Sequence, residues 1–116
     1  MELVIVKFLE ILNAIKIYHW KTRIYAEHIA CDTLHSKLST NMDKFAEVYL
    51  GSTDSRFDFS NKKIALIESK AKKNLIECIK NFTDRLASLK LGGDLSNIRD
   101  EILADCNQFI YLLSFS

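Results

Sequence analysis

Residues 18–51 read YHWKTRIYAEHIACDTLHSKLSTNMDKFAEVYLG, and this stretch decides the fold. Set on a helix at about 100° per residue, its residues 24–50 divide into two stripes. With His28 at zero, Asp32 falls at about 40°, His35 at about −20°, Asp43 at about 60° and Glu47 at about 100°. Cys31, Leu34, Leu38, Met42, Phe45 and Tyr49 gather between roughly −120° and −40°. One stripe is apolar and faces a core. The other carries imidazoles and carboxylates and faces something else. The spacing predicts a helix from about Tyr25 to Leu50, with Gly51 just past its end.

Three more helices follow from working outward. Glu2 to Trp20 is apolar over much of its circumference (Leu3, Val4, Val6, Phe8, Leu9, Ile11, Leu12, Ile15, Tyr18). A helix this apolar needs cover on two sides, from its own bundle and from a second subunit. A short break at Lys21–Ile24 separates it from the helix that follows. After Gly51, residues 52–69 hold the turn formers Ser52, Asp54, Ser55 and Asn61, with Phe57 and Phe59 alternating with polar residues. This is an ordered crossover with buried aromatics and room for a helical turn at Ile64–Ile67. Lys70 to Leu89 carries a three-four stripe of Leu75, Ile79, Phe82, Leu86 and Leu89. Gly92 and Gly93 stop it, and Asp94 or Ser96 caps a last helix with Ile98, Ile102, Cys106, Phe109 and Leu113 inward.

The chain has 116 residues, no proline and three glycines, which predicts one domain over residues 1–116 made of long helices. Two short links and one long one predict an all-α, ferritin-like four-helix bundle with its crossover between the second and third helices. A plain up-down bundle with one loose loop is the alternative. Hydrophobic residues are 48% and charged residues 27%, which excludes a disordered or collagen-like chain. Cys31, Cys78 and Cys106 are odd in number and form no CxxC pair. They read as reduced core residues of a cytoplasmic protein. The start, Met1 to Val6, lacks a basic leader and is not read as a signal peptide. No apolar run reaches the roughly 20 residues of a membrane span.

Histidine and carboxylate at these spacings are metal-ligand types. His28 and Asp43 lie fifteen residues apart, about 22 Å along a helix, so one ion cannot touch both in one chain. The stripe is two half-sites, His28 with Asp32 and Asp43 with Glu47. Two-fold antiparallel pairing of this helix with its copy joins them into two equivalent sites. His19 falls near the His28 end. Such a mixed set suits iron first and zinc second, rather than magnesium or calcium.

The His19-Trp20 pair, His28-x3-Asp32 and Asp43-x3-Glu47 resemble the mini-ferritins called Dps. The resemblance implies a ferroxidase site shared across a dimer two-fold. His19, His28 and Asp32 come from one chain, Asp43 and Glu47 from its mate, and Trp20 stands beside the site as a radical quencher. It implies iron(II) oxidation by peroxide or oxygen in a homodimer, with larger assembly left open. The family's twelve-subunit shell is not carried over. Neither is DNA binding, because no basic tail precedes the first helix. Asn97-Ile98-Arg99-Asp100-Glu101-Ile102-Leu103, with Asn107-Gln108 and Tyr111-Leu112-Leu113, is similar to small ferritin-like proteins of phages and large DNA viruses.

Other readings stand beside this one. The same stripe serves a metal-free helical scaffold or protein-interaction module as a network of charged hydrogen bonds. The ordinary ferritin site needs a Glu-x-x-His on each of two helices, and Glu10 and Asp105 do not supply it. His35 is in phase as an extra ligand or a plain interface histidine. Lys62, Lys63, Lys70, Lys72, Lys73 and Lys80 form a basic stretch diluted by Glu68 and Glu77. With a net charge of +1, it reads as a solvated face rather than a nucleic-acid surface.

Overall fold

The computed structural model describes residues 1–115. Four helices are present: α1 (Glu2–Lys21), α2 (Tyr25–Thr53), α3 (Lys72–Ala87) and α4 (Gly93–Leu113). No strand occurs among the described residues. No helix among them is long and apolar enough to cross a membrane.

The apolar stripes are the core. Cys31, Leu34, Leu38, Met42 and Phe45 of α2 are buried, as are Leu75, Ile79, Phe82 and Leu86 of α3. So are Ile98, Ile102, Cys106, Phe109 and Leu113 of α4. Tyr49 and Leu89 are only half-buried. The edges of the Phe8 ring meet Phe45 and Phe82, with centroids at 5.3 and 5.9 Å. All three cysteines are free thiols. Burial pushes the Cys31 and Cys106 thiols up to about 12, which keeps them protonated and unreactive.

Side-chain contacts give the direction of each helix. Phe8 meets Phe45 while Lys16 meets Asp32, so α1 and α2 run antiparallel. Lys37 donates to Gln108 at 3.0 Å and Asn41 to Asp105 at 2.8 Å, so α2 and α4 do too. Lys72 reaches the carbonyl of Leu113 and Arg99 that of Leu86, which sets α3 against α4. Phe8 touches the late parts of both α2 and α3, so these two run the same way. α1 packs on α2 and α3, and α4 packs on the same two. The α1–α4 and α2–α3 diagonals make no close backbone approach among the described residues. Every neighbouring pair is antiparallel, as it also is in a plain up-down bundle; the difference here is that α2 and α3 lie across a diagonal and run parallel, so the order around the bundle is α1, α2, α4, α3.

Joining two parallel helices obliges the chain to travel back along the molecule. Residues 55–71 do so against α1. Asp58 N–H donates to Glu2, Ala65 N–H to Glu10 and Lys21 to Glu68, in that order along α1. Ile67 enters the groove between α1 and α3 beside Phe8, Cys78 and Phe82. The crossover thus covers α1 from within the chain on its α3 side. Leu3 and Leu9 stay exposed.

Several expected boundaries move. α2 runs through Gly51 and ends at Asp54, whose φ of 47° and ψ of 52° are left-handed. The Ser52 and Thr53 hydroxyls donate to Tyr49 O and carry the helix past the glycine. α3 begins at Lys72 because Ala71 is extended, its N–H held by Asn74 Oδ1. α4 begins at Gly93, with Gly92 rather than Asp94 or Ser96 at the cap. Asp94 instead accepts from the N–H of Leu95. No helical turn forms at Ile64–Ile67, where the crossover is stretched along α1. Of its aromatics, Phe57 is half-buried, stacked on Tyr49 at 6.0 Å, and Phe59 is exposed.

Candidate functional site

The three-residue turn between α1 and α2 brings His19 and His28 face to face. Their rings stack with centroids 3.8 Å apart and planes 13° from parallel. Each ring is bound to the other residue's backbone: His19 Nδ1 donates to His28 O at 2.7 Å, and His28 Nδ1 donates to His19 O at 2.8 Å. A carbonyl oxygen only accepts, so each Nδ1 carries a proton and each neutral ring keeps its lone pair on Nε2. This is the tautomer that a metal-binding histidine uses, with the far nitrogen held by a carbonyl. Each ring offers one imidazole donor of the transition-metal type, and because the ring centroids are 3.8 Å apart and the planes 13° from parallel the stack does not by itself close on a single ion.

The turn itself is held by a buried polar network. Tyr18 and Thr22 hydroxyls both donate to Glu27 Oε1, at 2.8 and 2.7 Å. Thr22 Oγ1 also accepts from Ile24 N–H. Burial, then the bond to Glu27, pushes the Tyr18 phenol up to about 12. The sequence carries a signal for this network that stripe counting passes over. Tyr18 lies on the core face, and a buried tyrosine hydroxyl needs a partner.

Around the histidine pair lie the other predicted residues of that end. Asp32 is exposed, and its carboxylate meets Lys16 at 3.7 Å. His35 is half-buried and shifted below its ordinary value, first by burial and then by the charge of Lys16, against the pull of Asp32. Tyr25 stacks on His28 at 6.3 Å. Trp20 is 71% exposed on the last turn of α1.

Asp43 and Glu47 stand apart from this group, exposed on the later part of α2. They converge on each other. A hydrogen bond to the Asp43 carboxylate, followed by that carboxylate's charge, raises Glu47 above its ordinary value. Two carboxylates held this close attract a shared proton or a cation. The structure thus brings together His19, His28 and their surroundings at one end, and Asp43 with Glu47 at the other. It does not join the two sets in one chain. Among the described residues no group of three or more His, Cys, Asp or Glu is gathered to hold a metal ion.

No curated protein and no solved structure matches this chain. Residues 19–113 match the family of unknown function DUF5856. That span contains the histidine pair, the carboxylate pair and the lengthwise crossover, and the chain belongs to this family.

Proposed function

We propose that this protein is a ferritin-like, Dps-type iron(II)-binding protein, active as a two-fold dimer through α1 and α2, in which iron(II) is the substrate of oxidation. The observation that carries this reading is the stacked His19–His28 pair, with both Nδ1 protons committed to carbonyl oxygens and both Nε2 atoms free to ligate. The antiparallel order of neighbours and the lengthwise crossover agree with a ferritin-like bundle. His19, His28 and Asp32 of one chain, with Asp43 and Glu47 of its mate, make an iron- or zinc-type donor set. Each iron(II) gives up one electron, and a peroxide taking two leaves as water. Trp20 stands in the next position to absorb stray one-electron oxidation.

A metal-free scaffold is favoured by one contact. The Lys16 ammonium already supplies Asp32 with a counter-charge at 3.7 Å. Anaerobic titration with iron(II), followed by the rate of absorbance growth on adding peroxide, separates the two. The proposal expects one or two irons per dimer, lost in His19→Ala/His28→Ala and in Asp43→Asn/Glu47→Gln while the fold is kept. A dimer that ignores iron(II) and tolerates both chelator and His28→Ala belongs to the scaffold reading.

A further inference from the structure

The crossover carries an edge that nothing in the protomer covers. From Leu66 to Lys70 burial alternates: Ile67 and Ser69 turn inward, while Leu66, Glu68 and Lys70 are exposed. Period two marks an extended strand lying with one face on a support. Ala65 fixes the polarity of its edges, since its N–H points to Glu10 Oε2 at 2.8 Å. Alternate residues of an extended chain direct their N–H and C=O groups to opposite edges. Ile64 and Leu66 therefore present theirs on the edge away from Glu10. Among the described residues these groups meet no partner. The side chains are open too, Ile64 at 47% and Leu66 at 74%.

We propose that residues 62–68 pair antiparallel with the same segment of a second copy of this chain, centred on Ala65. An open strand edge is a template for another strand, and the side chains name which strand. Centring on Ala65 sets Lys62 opposite Glu68 and Ile64 opposite Leu66, each twice by the two-fold. Slid by two residues one way, Lys62 faces Leu66; slid the other way, it faces Lys70. Only the central register pairs opposite charges and covers both apolar side chains. It also agrees with the backbone. Ile64 and Leu66 form the hydrogen-bonded pairs, Ala65 faces its copy in a non-hydrogen-bonded pair, and its N–H stays turned to Glu10. Glu68 holds Lys21 through Oε2 at 2.7 Å, and a second lysine adds to that contact rather than displacing it. The pairing uses backbone and surface charge and requires no metal.

Sedimentation equilibrium in chelator tests it apart from any metal site. The wild-type chain self-associates through this edge in addition to the two-fold proposed for α1 and α2. Lys62→Glu sets like charges opposite one another twice and loosens this contact about tenfold. The triple variant Lys21→Glu/Lys62→Glu/Glu68→Lys, which reverses the Lys21–Glu68 anchor together with the pair, restores it. These positions are exposed, so circular dichroism stays that of the wild type. Mild oxidation reads the register directly: Ala65→Cys cross-links to its copy, while Lys63→Cys, about 13 Å from its copy in this register, does not. A chain that remains monomeric, an association indifferent to Lys62→Glu, a triple variant that stays weak, or equal cross-linking at the two positions overturns the proposal.

Discussion

Glu10 is buried in a helix that is otherwise apolar on that side, and its charge is kept by two donors. Burial alone pushes its carboxyl up. The Ala65 N–H at 2.8 Å and the Lys7 ammonium at 3.0 Å outweigh this and leave it below the ordinary 4.5. A carboxyl lowered on folding contributes stability that is fully present above about 4.5 and lost as pH falls through its folded value. Glu10→Gln keeps an acceptor for Ala65 but loses the charge. Its expected cost is about 1–2 kcal/mol at neutral pH, since a bond to a charged group is the stronger kind. Urea unfolding checks the sign: the gap between variant and wild type closes as the buffer is taken to about pH 3. An unchanged variant at neutral pH would mean that Glu10 does not anchor the crossover. Sequence periodicity places Glu10 on α1 but gives no sign of Ala65, which lies 55 positions further along the chain.

Among the elements, α3 is held to α4 by one side chain more than by any cap. Arg99 sends Nη1 to the carbonyls of Leu86, Ala87 and Leu89, at 3.1, 3.4 and 2.9 Å. The Leu86 carbonyl also accepts from the Leu89 N–H at 3.2 Å, while those of Ala87, the last residue of α3, and of Leu89, two residues past it, lie beyond what the helix can satisfy. Arg99→Ala strands the carbonyls of Ala87 and Leu89 and is expected to cost about 1–3 kcal/mol, with Arg99→Lys between, because an ammonium lacks the guanidinium fork. Thermal unfolding ranks the three, and equal midpoints would leave the α3 terminus held by other contacts. The four helices themselves were legible because their core faces recur at three and four residues, from Leu34–Leu38 to Ile98–Ile102. Their ends were not. Gly51 looks like a stop, yet the hydroxyls after it extend α2 to Thr53, and Lys70 reads as helical while Ala71 is extended. The crossover's course was legible only as a length. Its attachment points, Glu2, Glu10 and Lys21, are set by tertiary contacts that no local pattern encodes. At the site, helical phase found the ligand-type stripe, while the exchange of Nδ1 bonds between His19 and His28 depends on the turn's geometry.

At the scale of the whole molecule, the argument turns on length. The 29 residues of α2 span about 43 Å at the helical rise, close to the full 44 Å of the molecule. His28 near its start and Asp43 with Glu47 in its second half are therefore kept apart in any single chain. A shared site predicts complementation that a site within one chain forbids. A chain with His19→Ala/His28→Ala keeps its carboxylates, and a chain with Asp43→Asn/Glu47→Gln keeps its imidazoles. Each alone is expected to bind no iron(II). When the two are unfolded, mixed in equal amounts and refolded, half of the dimers carry one chain of each kind. In such a dimer one of the two sites receives imidazoles from one chain and carboxylates from the other, all intact, while its second site lacks both. Iron(II) binding should return to about a quarter of the wild-type stoichiometry, with oxidation in proportion. Mass spectrometry of the mixed dimer verifies exchange. No recovery in verified mixed dimers would assign any iron site to one chain and sink the two-fold reading, whereas a quarter recovered places imidazoles and carboxylates of different chains on the same ion.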